Sequence, residues 1–422
     1  MRGWIRSKAA RYVCHLRPRQ LSTVAPSPSN VERVSVKCGS AGSVCVDLHN
    51  IGKLSSSDPL LIYLPPFSTS SAQTAPAIPG FLRRYPIAAI NYRWAGFDAS
   101  EETESAPGPT GESPDEVGGL PPLSWPVPVH DTLSAYSWVI DNLTPSTYTR
   151  REAYVYGSYL GASLATSLAL TESYPHQRMA VRGCIAYNGI YNWTTFLPDH
   201  QINKQSGARS ANILEEILGQ PTDPAFQDLK QRVSTLFRQP SDLFDPFASA
   251  CLFFQTSGLL VPPDFDSPAD PVIAMLRAAA VPTDGAQEAI QALMQVMSNK
   301  PPRRSPLAFP PRKSTLKLPN TLLLHSPAPS AGWQGKTQRR KKVVGNHFKT
   351  QAEDLASLMR RSLAKLELRD RAKWDEDFDE FDEIDKRVQV YHVGADDRTL
   401  ELPSQGEVLV NTWLADRLGK NS

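Results

Sequence analysis

No stretch of about 18 uninterrupted apolar residues occurs anywhere in the 422-residue chain, which argues against a membrane-spanning helix. The five cysteines, Cys14, Cys38, Cys45, Cys184 and Cys251, are scattered and form no CxxC pair. Neither a disulfide framework nor a zinc site is expected from them, and buried free thiols are the simpler expectation. Walker loops and GxGxxG fingerprints are also missing, so nothing points to a nucleotide cofactor. The formal charge of +2 gives no global reason to expect nucleic acid or an acidic substrate. His176, His200 and His347 fall in expected loops, with no glutamate or cysteine at metal-ligand spacing. No metal and no cofactor is expected.

One further absence is local. No acid precedes Glu32, while Arg2, Arg6, Lys8, Arg11, Arg17 and Arg19 are basic and Trp4, Ile5 and Tyr12 can share one side of a helix. An acid-free, arginine-rich, amphipathic start reads as a mitochondrial presequence, and Arg19 stands three residues before Ser22 in the manner of a matrix-processing site. The competing reading is a disordered basic tail. Residues 1–30 are therefore set apart as a targeting segment, with the matrix as the expected destination.

What the chain does have is alternation. Ser43 to Leu48 alternates as an antiparallel strand does. Leu60–Leu64 and Pro86–Tyr92 are continuous apolar runs, as in strands buried on both faces of a parallel sheet. Val129, Leu133, Tyr136, Ile140 and Leu143 switch to a helical period, with His130 and Asp131 at the expected helix start, where Asp131 can cap. Strands at Ala153–Gly157 and Val181–Tyr187 flank a helix over Ala162–Glu172. Strands alternating with helices imply an α/β protein with a mostly parallel sheet covered on both faces. Residues 191–317 break the rhythm with helical segments at Asn212–Leu218, Phe226–Phe237 and Gly285–Met297, an insertion expected over the carboxyl ends of the strands. The sheet resumes at Asn320–His325, followed by a helix over Lys349–Leu368, a strand at Val388–Val393 and a closing helix at Gly406–Leu418.

Several short motifs in this order resemble the hormone-sensitive-lipase type of α/β hydrolase, also called fold-3. They are Asn91-Tyr92-Arg93, Pro128-Val129-His130-Asp131 with Trp138, Val155 to Ala165 as strand, elbow and helix, Asp245 to Ser249, and Lys317 to His325. The resemblance spans about residues 40–418. It implies a core in two parts, 31–190 and 318–422, with a helical cap at 191–317 and a charged insertion at 331–386. It also implies carboxylic-ester chemistry, and here the sequence departs from the pattern at each component. The elbow needs small residues two before and two after its tip. Gly157 and Gly161 supply them, which places Tyr159 at the tip where the family has serine; Ser158 is a weak alternative, since it would put Tyr156 and Leu160 in the glycine positions. The family's His-Gly-Gly oxyanion loop reads Leu64-Pro65-Pro66-Phe67, and proline has no N–H, leaving Phe67, Ser68 and Leu160 as backbone donors. After His325 comes Ser326-Pro327 and no carboxylate; after Val393 come Asp396 and Asp397 but no histidine, and His392 lies before the loop.

Loss of four components together points to a protein that has lost the serine triad and binds something instead. The alternative is a working ester hydrolase whose nucleophile or base comes from elsewhere, and a third reading is a small-ligand binder using the old acyl pocket. Arg339, Arg340, Lys341 and Lys342 form a basic run that suits contact with a polyanion such as RNA or an anionic lipid head group, or else a solvated loop.

Overall fold

A computed structural model describes residues 31–39, 42–55, 58–67, 77–94, 123–146, 148–203, 223–267, 302–327, 345–394 and 400–418. Within these, β1 (Val31–Lys37), β2 (Ser43–His49), β3 (Leu60–Leu64), β4 (Ile87–Asn91), β5 (Arg151–Ser158), β6 (Met179–Tyr187), β7 (Asn320–His325) and β8 (Val388–His392) form one sheet. Its order is β1-β2-β4-β3-β5-β6-β7-β8, with β2 antiparallel to both β1 and β4, and with the strands from β4 through β3 to β8 all parallel to one another. That order, with the crossover of β3 and β4 and a single reversed strand beyond them, is the α/β-hydrolase fold. The continuous apolar runs sit at its centre, where all five residues of β3 are buried.

Both faces are covered, as residue parity along β5 shows. Successive side chains point to opposite faces. Tyr154 meets Trp413 of α8 (Ser404–Leu418) at 6.0 Å between ring centroids, whereas Gly157 lies against Gly161 in α2 (Leu160–Thr171) on the other side. Alongside α2 runs α1 (Val127–Leu143). The helix α5 (Phe348–Ser362) packs on β7 and β8. The short helices α6 (Arg369–Trp374) and α7 (Glu380–Arg387) lead back into β8.

Two local expectations are corrected. Asp131 does not cap a helix start: α1 begins at Val127 after Trp125-Pro126, and Asp131 stands a turn inside it, fully buried. Its carboxylate accepts from the Arg93 backbone N–H at 3.0 Å, from Nε at 2.9 Å and from Nη2 at 2.7 Å. The Tyr-Arg motif and the helix-start motif are therefore two halves of one buried ion pair. The segment Phe226–Phe237 is not one helix but two, α3 (Pro224–Gln231) and α4 (Val233–Leu236), broken at Arg232 (φ −89°, ψ 3°). The expected helices at 212–218 and 285–297, and residues 1–30, lie outside the described residues.

Parts of the insertion are tied to the strand ends by specific bonds. The Trp94 indole N–H, just beyond β4, donates to the Leu236 carbonyl at 2.8 Å, and Trp125 donates to Asp245 at 3.0 Å. Ser326, just beyond β7, donates its hydroxyl to Asp223 at 2.8 Å. Trp94, Trp125, Trp193 and Phe237 pack together between these anchors, each buried.

Candidate functional site

The connection from β5 to α2 is a strained elbow. Tyr159 is held at φ 50° and ψ −115°, a backbone region that side chains other than glycine rarely adopt. The two glycines are demanded by backbone, not by soft neighbours. A Cβ on Gly157 would stand 2.3 Å from the Gly161 carbonyl oxygen. On Gly161 it would stand 2.3 Å from the Pro65 carbonyl oxygen and 2.4 Å from that of Leu64. The spacing read from sequence thus places Tyr159 at the tip. Ser158 is the buried last residue of β5, one step before it.

Among the described residues the tip is closed over. Tyr159 is 4% exposed, and its ring stacks on Phe67 at 5.5 Å and meets Tyr187 and Phe348 edge-on at 5.8 and 5.7 Å. Its hydroxyl accepts from the Asn188 amide at 3.4 Å. Asn188 (φ 49°) follows β6, and its side-chain Oδ1 accepts from the Ser326 N–H at 2.8 Å. A chain of polar groups then runs from Tyr159 through Asn188 and Ser326 to Asp223. Burial raises the Tyr159 phenol above its ordinary range, and the Asp223 charge adds to the rise; the Asn188 and Tyr187 bonds oppose it. A phenol so placed stays protonated, which is the wrong direction for a nucleophile. Among the described residues no histidine hydrogen-bonds to Tyr159 or Ser158.

The oxyanion region is reversed in polarity. The expectation that Leu160 retains a usable N–H is corrected: that group donates to the Pro66 carbonyl at 3.1 Å. The Pro65 carbonyl, next to it, accepts from the Tyr92 hydroxyl at 2.8 Å. Where acyl transfer needs N–H groups aimed at a developing negative charge, this loop presents carbonyl oxygens to the start of α2. Phe67 contributes its ring as a lid on Tyr159, and Ser68 lies outside the described residues.

His176, His200 and His347 lie outside helices and strands, as expected from the sequence. His347 stands just before α5 and caps it, accepting from the Thr350 N–H at 3.1 Å. His325 and His392 pair across β7 and β8 with centroids 5.8 Å apart, and His325 Nδ1 lies 2.8 Å from the Ser326 carbonyl. Burial lowers both His325 and His347 below the usual imidazole range. His200 is buried in a turn beside Arg304, and its pKa is pushed down to about 4, by burial first and then by the arginine charge. Cys38, Cys45, Cys184 and Cys251 are free thiols. No group of three or more His, Cys, Asp or Glu side chains among the described residues is arranged to hold a metal. Asp396, Asp397 and the run Arg339 to Lys342 lie outside the described residues.

Two participants escaped the sequence reading. Asn188 was visible only as half of an Asn-Gly turn signal, with nothing to indicate that its side chain reaches across to the elbow. Gln351 of α5 is the other: its side-chain oxygen accepts from the Tyr191 and Asn192 N–H groups at 3.1 and 2.9 Å, and its amide donates to Thr195 and Asn346. A buried glutamine on an amphipathic helix leaves no mark in the hydrophobic period.

No protein-family model matches the chain, and no curated protein does either. Solved structures similar to it include carboxyl esterase 2 of the mycorrhizal fungus Tuber melanosporum, at 11% identity and a TM-score of 0.46, covering 95% of this chain and 89% of that one. The hyperthermophilic esterase of the archaeon Pyrobaculum calidifontis is 11% identical with a TM-score of 0.41, covering 93% and 83%. A hormone-sensitive lipase from a metagenome library gives 11% and 0.41, covering 94% and 88%. The fold assignment itself stands on the strand order and on the elbow.

Proposed function

We propose that this chain is an α/β-hydrolase-fold protein that has lost serine-triad chemistry and acts in mitochondria as a non-catalytic binding or interaction protein. The observation that carries this reading is the closed elbow, with Tyr159 buried under Phe67 and the Leu160 N–H given to the Pro66 carbonyl. Acyl transfer needs a nucleophile, a base within hydrogen-bond reach and donors for the oxyanion; the described residues offer a protonated phenol at the tip, an amide as a side-chain partner and carbonyl oxygens in the loop before α2.

A second reading, a carboxylic-ester hydrolase with a non-standard nucleophile or base, draws on the strained tip at Tyr159, because strain often marks a working site. Strand-to-helix reversal over two glycines demands that conformation whatever stands at the tip, so the strain favours neither reading. Hydrolysis of short and medium p-nitrophenyl esters by the purified chain separates them, beside Tyr159→Phe, Ser158→Ala and Tyr159→Ser. The expected result is no turnover by the parent or by Tyr159→Ser. Turnover by the parent that Tyr159→Phe or Ser158→Ala abolishes overturns the proposal. Mitochondrial location is tested separately: residues 1–30 fused to a fluorescent protein are expected to direct it to the matrix, and a cytosolic signal defeats that part alone.

A further inference from the structure

Among the described residues, a roomy cavity lies at the other end of the sheet from the elbow. It measures about 420 Å³ and lies between the outer side of α1, the end of α2 and the start of β6. Its volume falls within the roughly 300–1,000 Å³ common for small-molecule sites. Leu133 and Ile140 of α1 are only partly covered there, and Met179 at the first position of β6 completes an apolar wall.

Two polar groups in this wall have no partner. Tyr136 is 3% exposed, and its hydroxyl makes no hydrogen bond. That hydroxyl faces the Val181 N–H, whose hydrogen goes to the Glu172 carbonyl at 3.2 Å. A buried hydroxyl left so costs stability unless something supplies the missing bond. Glu172 caps the end of α2, and its half-buried carboxylate has no ion pair or side-chain hydrogen bond among the described residues. Burial raises its pKa, as in a carboxylate partly stripped of water. The rim carries one charge of each sign: exposed Asp141, and exposed Arg178, which donates to the Pro145 carbonyl at 3.1 Å.

From this arrangement we infer that the cavity is a binding site for a small organic cation, a primary amine on an apolar body. The apolar part lies on Leu133, Ile140 and Met179. The ammonium donates one hydrogen to the Glu172 carboxylate and a second to the Tyr136 hydroxyl oxygen, with Asp141 adding attraction at the mouth. A neutral alcohol of the same shape leaves the carboxylate unpaired, and an anion meets Glu172 directly. None of this depends on the state of the elbow.

The probe is 2-phenylethylamine, titrated into the full chain at neutral pH beside 2-phenylethanol and 3-phenylpropanoate. Binding is followed by calorimetry and by methyl NMR of the Met, Ile and Leu side chains. A ligand of this size is expected to saturate at about millimolar concentration. The alcohol and the acid are expected to bind at least tenfold more weakly, with amine-dependent shifts concentrated on the Met179, Ile140 and Leu133 methyls. Glu172→Gln should weaken the amine at least tenfold and leave the alcohol unchanged, and Tyr136→Phe should weaken it severalfold. An unshifted methyl spectrum elsewhere shows that both variants fold. The inference is overturned by absence of saturable binding, by shifts on other methyls only, by the acid binding as well as the amine, or by indifference to Glu172→Gln.

Discussion

Replacing Tyr159 by alanine distinguishes a plug from a dormant reactive group. If the ring fills a place in the core, its removal leaves a cavity under Phe67 and breaks three aromatic contacts at 5.5, 5.8 and 5.7 Å. Truncating a buried aromatic side chain to alanine costs about 3–5 kcal/mol, and each ring pair accounts for roughly 0.5–1.5 kcal/mol beyond the area buried. Tyr159→Phe keeps the rings and removes only the hydroxyl's bonds with Asn188, at 3.4 Å, and with Tyr187, so its cost is about 1–2 kcal/mol, well below that of alanine. A tyrosine lining an open crevice would instead lose on the order of 0.5 kcal/mol on truncation.

Tyr159→Gly adds a check on the backbone. Glycine gives up about 0.5–1 kcal/mol to greater freedom in the unfolded chain, but it relieves the strain of φ 50°, which is roughly 1–3 kcal/mol for any other residue. Glycine at the tip is therefore expected to be as stable as alanine or more stable by up to about 2 kcal/mol, the reverse of the usual order. Urea unfolding followed by circular dichroism and tryptophan fluorescence measures all three variants. A loss below about 1 kcal/mol for Tyr159→Ala, or a glycine variant clearly less stable than the alanine one, refutes the reading of a strained, filled elbow.

Three further outcomes are expected. Gly161→Ala should abolish soluble expression or lower the unfolding midpoint sharply, because its Cβ meets two backbone oxygens at 2.3 and 2.4 Å and β3 cannot move aside without breaking its pairing with β5; a melting temperature within a few degrees of the parent contradicts this. Asp131→Ala should cost about 3–5 kcal/mol in urea unfolding, since it strands the Arg93 guanidinium against a buried site; a loss under about 1 kcal/mol would show the pair to be dispensable. Acid should destabilise the protein through His200: its folded pKa is depressed to about 4, so the stability it confers is present above 6.5 and is lost as pH falls through about 4. His200→Gln should flatten the stability-versus-pH curve between those limits, and an unchanged slope removes His200 from the account.

The fold was legible because its signals are local and cheap to read. Apolar runs without alternation at Leu60–Leu64 and Pro86–Tyr92 mark strands covered on both faces, and β3 and β4 lie at the centre as expected. Gly157 and Gly161 fixed the elbow to the residue, because only a steric demand of backbone on backbone asks for glycine at both positions. What could not be read were partnerships across long separations. Asp131 looks like a cap until Arg93 is brought 38 positions along the chain to meet it. The Leu160 N–H looks available until the Pro66 carbonyl turns toward it, a rotation that no residue type records. Helix breaks are equally silent: nothing at Arg232 distinguishes it from the middle of a helix, and packing of Leu229, Val233 and Leu236 decides where the turn goes.

The elbow raises the question of why glycine is needed on both sides of a tip that carries tyrosine. The glycine spacing answers it from the contacts. Gly161 sits where the carbonyls of Leu64 and Pro65 pass, and Gly157 sits where α2 begins, so the pair sets how closely α2 approaches β3 and β5 at the middle of the sheet. Those approaches belong to the fold, whatever side chain occupies the tip. The tip itself is free to change, provided that the new side chain fills its space. Tyr159 does so, since its ring is covered by Phe67, Tyr187 and Phe348 and its hydroxyl finds Asn188. Once that ring is in place, the oxyanion loop has no charge to receive, and its carbonyls can bond to Leu160 and Tyr92 where donors would otherwise be needed. The altered components are thus coupled through one packed cluster. On the proposed non-catalytic reading, serine at the tip leaves a cavity, carbonyl oxygens in the loop before it and, among the described residues, no histidine bonded to the tip, which is why Tyr159→Ser is expected to cost stability without conferring activity.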